Sequence, residues 1–203
     1  MLNNSWDRSA KNLILDMKIF LLGLTGAGKS TVGKLLANKL GYPFIDLDEV
    51  IKYETKRTIE DIFAKEGEEY FRKLENKYLK KVASVDRRVI ATGGGTPCYH
   101  DSMDFIKRSG LSLFLYTPLE LVTERLFNSD PSNRPMLKGK SKEELHQFLS
   151  DKLNERLPFY SRADFSIDTN MAEHPDKVAS MLFVVTRLIE QEKNNLQQYK
   201  MSQ

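Results

Sequence analysis

One segment constrains this chain more than any other: Gly23, Leu24, Thr25, Gly26, Ala27, Gly28, Lys29, Ser30. It satisfies the spacing Gly-x-x-x-x-Gly-Lys-Ser, the loop that cradles nucleotide phosphates. Glycines let successive backbone N–H groups turn toward one oxyanion with no Cβ in the way, and a helix N-terminus behind them adds partial positive charge. The context is the one the mechanism needs. Lys18 to Leu22 reads as a short buried strand, and Val32, Leu35, Leu36 and Leu40 form a helical stripe that Gly41 ends. A plain glycine turn would require neither the lysine nor three glycines at this spacing. Gly26, Ala27, Gly28, Lys29, Ser30 and Thr31 are therefore the nucleotide-binding candidates. Lys29 is suited to the β- and γ-phosphates of ATP and to catalysis, and Ser30 offers a hydroxyl to Mg²⁺.

A βα unit of this kind demands partners, and the remaining apolar segments supply them. Pro43 to Ile45, Arg88 to Ala91, Leu111 to Tyr116 and Asp164 to Asp168 read as further strands, each separated from the next by helical pattern. Strands alternating with helices predict an α/β fold: three layers, α/β/α, around a parallel sheet of about five strands. Thr58 with Asp61, Thr117 with Pro118 and Glu120, and Ser141 with Glu144 are spaced as helix caps. Residues 18–190 form one domain on this reading, with helices over about 47–85, a 1–17 extension before it and a polar 191–203 tail after it. The stretch Asn128 to Lys140 is nearly devoid of apolar residues and carries Arg134 before Pro135, which biases that arginine toward extended backbone. It reads as an exposed, functional loop, a lid.

Composition narrows the partners. Lys plus Arg exceeds Asp plus Glu by 31 minus 28, a net charge of +3, without basic blocks, which argues against nucleic acid. No apolar run approaches the length of a membrane span and no leader pattern is present, so the expectation is a cytoplasmic protein without membrane contact. A single cysteine, Cys98, excludes a disulfide scaffold; it and His100, His146 and His174 lack the spacing of a reactive or metal-binding group.

The acceptor side is read from four short segments. Phe44-Ile45-Asp46-Leu47-Asp48 puts two carboxylates at the carboxyl edge of the sheet, where open α/β folds bind ligands, and strand alternation would aim both to one side. One carboxylate can hold the hydration shell of Mg²⁺ while the other accepts a hydrogen bond from an attacking hydroxyl; the plainer reading is an acidic helix start. Arg72 and Glu75 lie three apart on a helix, the spacing of a surface ion pair. Gly93-Gly94-Gly95 follows the third strand, as a sharp turn or a close backbone approach to a ligand.

Taken with Arg134-Pro135 and with Arg156, Pro158 and Tyr160, these segments resemble the shikimate kinases, in order and across Lys18 to Ile189. The resemblance implies a nucleoside-monophosphate-kinase-like P-loop fold with a mobile lid. It also implies transfer of the ATP γ-phosphate to the 3-hydroxyl of shikimate, by a monomer. Carried over residue by residue, Lys29, Asp48 and Arg134 are catalytic, and Asp46 holds Mg²⁺ through water beside Ser30. Asp48, Arg72, Gly94, Gly95 and Arg156 bind shikimate, Glu75 orients Arg72, and Arg125 and Arg134 serve the nucleotide. Chemistry agrees with the assignment, because two guanidinium groups suit a planar carboxylate and carboxylates suit vicinal hydroxyls. The chain departs from the family pattern in a longer loop between Arg125 and Arg134 and in Met171 after Asp168-Thr169-Asn170. A gluconate-kinase-like enzyme and a non-catalytic binding protein are the alternatives; Lys29, Asp48, Arg72 and Arg134, whose loss would mark the latter, are all present.

Overall fold

The computed structural model describes residues 17–129, 139–172 and 174–201. Five strands, β1 Ile19–Leu22, β2 Phe44–Asp46, β3 Val89–Ala91, β4 Leu111–Tyr116 and β5 Phe165–Asp168, form one parallel sheet in the order β2-β3-β1-β4-β5. Among the described residues seven α-helices surround it: α1 Lys29–Leu40, α2 Leu47–Thr55, α3 Ile59–Val82, α4 Ser102–Ser109, α5 Leu119–Phe127, α6 Lys142–Tyr160 and α7 Pro175–Met201.

Alternation along the central strand builds the three layers. Ile19 and Leu21 face one side, where they meet Val32 and Leu36 of α1 and Val178 and Leu182 of α7. Phe20 and Leu22 face the other, where Leu47, Ile62, Leu79 and Ile106 cover them. All four β1 side chains are fully buried, which explains why the strand reads as an unbroken apolar run. The last strand pairings place Leu21 beside Ala91 and Leu22 beside Phe114, so β1 and β3 end within one residue of each other, while β4 runs two residues further to Tyr116 beside β5. The chain leaves β1 to one side and reaches β4 on the other, and the loops after β1, β2 and β3 meet at that reversal of strand order.

Several local expectations are corrected. Asp46 ends β2 and caps α2 by accepting from the Asp48 N–H at 3.1 Å, so the two acids are brought together by a helix start and not by strand alternation. Thr117 does not cap α5, whose N-cap is Pro118; its hydroxyl donates to Ala27 O at 3.2 Å and lies 2.8 Å from Thr169 Oγ1, tying the loop after β1 to the end of β5. The Ser141 and Glu144 box forms in full. Gly67, at φ 81° and ψ 176°, kinks α3, a conformation that only glycine adopts freely. Met17 is buried in the core and not part of the leader. The segment from Gln191 is helical as far as Met201, because Gln, Glu, Lys and Leu are good helix formers and no glycine or proline interrupts them. Among the described residues no helix is long and apolar enough to cross a membrane.

Candidate active site

The loop between β1 and α1 closes on itself. Gly26 and Gly28 take φ of 81° and 90°, and nothing lies within 4 Å of a Cβ built on Gly28, so that side of the loop is open. Gly26 is confined differently, since a Cβ there would sit 2.9 Å from Leu126 Cγ on α5. Ala27 is buried, while Ser30 and Thr31 are exposed on the first turn of α1. The Lys29 ammonium donates to Gly23 O and Leu24 O, each at 2.8 Å. The Ser30 hydroxyl donates to Asp46 Oδ2 at 2.6 Å, so a hydroxyl and a carboxylate converge beside the loop. Hard oxygen donors in this number fit Mg²⁺, which is held by one or two carboxylates while substrate phosphates and waters complete its shell. Among the described residues no group of three or more His, Cys, Asp or Glu side chains forms a dedicated cage.

Asp48, half-buried in the first turn of α2, stands next to this pair. Desolvation pushes its pKa from the ordinary 3.8 up to about 6; Glu75 and Asp46 add to the rise, and Lys29 and Lys52 oppose it. A carboxylate so tuned is ionised at neutral pH and still a competent proton acceptor.

The three glycines after β3 are explained by their neighbours. A Cβ on Gly93 would lie 2.4 Å from Glu75 Oε1, 2.9 Å from Thr96 Oγ1 and 3.1 Å from Asp48 Oδ1. On Gly94 it would lie 3.0 Å from Arg156 Nη1 and 3.2 Å from the Thr25 nitrogen. On Gly95 it would come within 2.8 to 2.9 Å of the Arg72 guanidinium. None of the three needs a positive φ, so close approach and not a special turn selects glycine here. Gly95→Ala is accordingly expected to displace Arg72 and raise the KM of the phosphoryl acceptor several-fold while leaving the ATP KM near normal; steady-state kinetics with each substrate varied checks it.

Arg72 is held on three sides. Nη1 donates to Glu75 Oε2, Nη2 and Nε donate to Glu68 Oε1 at 2.8 and 3.1 Å, and the guanidinium carbon lies 4.3 Å from the centre of the Tyr99 ring. Burial alone would lower the Arg72 pKa, but the pairs with Glu75 and Glu68 reverse the sign and raise it. Glu75, itself nearly fully buried, also accepts from Thr96 Oγ1 at 2.6 Å. Arg156, on α6, reaches Gly94 from the opposite side, and its buried Nε has no partner among the described residues. Cys98 lies near both arginines, and burial pushes its thiol up to about 11, which makes it a poor nucleophile.

Lys29, Ser30, Asp46, Asp48, Arg72, Glu75, Gly93 to Gly95 and Arg156 thus share one crevice at the carboxyl edge of the sheet. Arg125 is exposed in the last turn of α5, apart from every contact named so far. Arg134 and residues 130–138 lie outside the described residues. Sequence reasoning missed Glu68 and Tyr99, which hold Arg72, and Thr96, which holds Glu75. Of these only Glu68 carried a signal, its position four before Arg72 on one helix.

A family model for shikimate kinase matches residues 25–187. The chain belongs to the shikimate kinase family. Membership makes it an ATP-dependent kinase, a nucleotide-binding transferase. A shikimate kinase of Azobacteroides pseudotrichonymphae is 47% identical over 72% of this chain and 86% of that protein, and one of Bacteroides thetaiotaomicron is 38% identical over 86% and 99%. Among solved structures, the shikimate kinase of Bacteroides thetaiotaomicron matches with a TM-score of 0.81 at 37% identity, covering 84% of this chain and 98% of that one. The Acinetobacter baumannii shikimate kinase, solved in complex with shikimate, matches with a TM-score of 0.77 at 38% identity, covering 87% and 94%. A gluconokinase of Sinorhizobium meliloti, 18% identical with a TM-score of 0.54, shares the fold alone.

Proposed function

We propose that this family member moves the γ-phosphate of ATP to the 3-hydroxyl of shikimate, giving shikimate 3-phosphate and ADP. The observation that carries the reading is the polarity of one crevice: two arginines, Arg72 and Arg156, close on Gly94 and Gly95 at one end, and Asp48 stands between Gly93 and the phosphate loop at the other. Shikimate has the same polarity, a planar carboxylate at one end and vicinal hydroxyls at the other. The arginines grip the carboxylate, with Glu75 orienting Arg72, and Gly94 and Gly95 meet the ring by backbone. Asp48 orients the attacking hydroxyl and accepts its proton. Lys29 stabilises charge on the transferring phosphoryl group.

Ser30 would hold Mg²⁺ by its hydroxyl and Asp46 through water, and the bound ion would neutralise phosphate oxygens. The 128–140 lid would bring Arg134 to the phosphates and expel competing water, and Arg125 would face the base of the nucleotide. We read the protein as a monomer and place it in the cytoplasm, where ATP is supplied.

A coupled assay offering shikimate, gluconate and a nucleoside monophosphate tests the reading, with turnover expected on shikimate. Arg156→Ala is expected to raise the shikimate KM through loss of a charge-assisted pair, on the order of 1.5 to 3 kcal/mol, and to leave the ATP KM near normal. Arg72→Ala follows the same direction, with an added stability loss because it leaves buried Glu75 without its cation. Faster turnover on gluconate, or equal effects on both KM values, would overturn the assignment.

A further inference from the structure

Tyr160 has no part in the chemistry above, yet it occupies the joint between the two halves of the crevice. It closes α6, one helical turn after Arg156, and its side chain is fully buried. The ring packs against Phe114 of β4 at 5.0 Å between centroids, which fixes where the hydroxyl can go. That hydroxyl donates to Gly94 O across 66 residues of sequence and interacts with the Arg156 side chain.

Gly94 is the residue at which the phosphate loop and the acid-binding end touch, since its own would-be Cβ lies near both the Thr25 nitrogen and Arg156 Nη1. The peptide joining Gly94 to Gly95 is planar and trans, so its N–H, on Gly95, points opposite to its carbonyl. Pinning the Gly94 carbonyl against α6 therefore also sets the direction of the Gly95 N–H. The neighbouring loop bonds, Thr96 N to Gly93 O at 3.2 Å and Cys98 N to Gly95 O at 2.9 Å, leave this peptide untouched. Glycines on both sides give it no side-chain constraint, so Tyr160 is what holds its orientation.

We propose that Tyr160 is a positioning residue for acceptor binding: its hydroxyl locks the Gly94 peptide, aims the Gly95 N–H at the acceptor, and keeps that donor in register with Arg156. The inference rests on the reading of the acid-binding end given above. It is separate from any role in packing, which the ring alone performs through Phe114.

Tyr160→Phe removes the hydroxyl and keeps the ring. The shikimate KM is expected to rise roughly fivefold to tenfold, the loss of about one buried hydrogen bond, with the ATP KM and kcat each within about twofold of wild type. Calorimetric titration with shikimate alone should show the same loss of affinity, and thermal unfolding in parallel reports the packing. Arg156→Ala is the control for the underlying site. An unchanged shikimate KM in Arg156→Ala would overturn the acid-binding site itself. A raised KM in Arg156→Ala together with unchanged shikimate affinity in Tyr160→Phe would overturn the role of Tyr160 alone. So would a Tyr160→Phe protein whose affinities for ATP and shikimate fall together with its melting temperature.

Discussion

Lys29→Ala is expected to reduce kcat about a thousandfold in a protein that still folds. Two effects combine. The ammonium is the cation nearest the phosphate loop, and removing one fixed charge from developing negative charge in a water-poor site is worth on the order of 2.7 to 4 kcal/mol. Lys29 is also the leading group holding the Asp48 pKa down against desolvation, Glu75 and Asp46, so its loss pushes Asp48 further up and shrinks the ionised fraction available as proton acceptor. Stability should change little by comparison, because the side chain's bonds to Gly23 O and Leu24 O act within one loop. The measurement is single-turnover phosphoryl transfer at saturating ATP and shikimate, beside thermal unfolding. A variant that transfers phosphate at near-normal rate would remove Lys29 from the mechanism.

Asp48→Asn is expected to abolish most turnover and to stabilise the fold at neutral pH. An amide cannot accept the hydroxyl proton, and a positioned general base is worth roughly 10² to 10⁴ in rate. In the wild-type protein the same residue should give kcat/KM for the acceptor an acidic limb that falls about tenfold per pH unit below about 6. The stability change follows from the same shift. The folded pKa lies above the unfolded value of 3.8, so as pH rises the unfolded chain releases this proton first, and stability is lost between about 3.8 and about 6. Above that window the ionised carboxylate opposes folding by an amount on the order of 1 to 3 kcal/mol. Asp48→Asn removes that opposition, and its melting temperature should exceed the wild type's by a few degrees at neutral pH, with the gap closing toward pH 4. A gap independent of pH would mean that Asp48 is not held near 6, and normal turnover would end its role as acceptor.

An acid that weakens the fold where it is needed for chemistry is consistent with the crowding around Gly93, where Asp48 and Glu75 approach one small residue. The α3 helix supplies the compensation: Glu75 is neutralised by Arg72, which is itself shared with Glu68 and stacked on Tyr99. Exposed pairs such as Lys73 with Glu69 on the same helix contribute little by comparison, because water screens both partners.

What the sequence determined by itself is local in origin. The phosphate loop is contiguous, so its glycines and its lysine are legible in eight residues and its strand in the five just before them. The parallel, two-faced sheet is legible because a strand covered on both faces must be apolar at every position, as β1 is, and β4 departs from this only at Ser112 and at its exposed last residue, Tyr116. The Ser141 and Glu144 cap needs only neighbours three apart. What the tertiary structure decided involves partners distant in the chain. Arg72 and Glu75 have the spacing of an ordinary surface pair, and only the packing of α3 against the Gly93 to Gly95 loop turns that pair into a buried clamp. Thr117 has the spacing of a helix cap, yet a hydroxyl bonds to whichever acceptor folding brings within reach, and Ala27 O and Thr169 Oγ1 won. Tyr160 reads from its neighbours as one more aromatic on a helix. Its hydroxyl acquires a task only when the loop after β3 comes to lie against α6, because a hydrogen bond depends on proximity in space and not on separation in sequence.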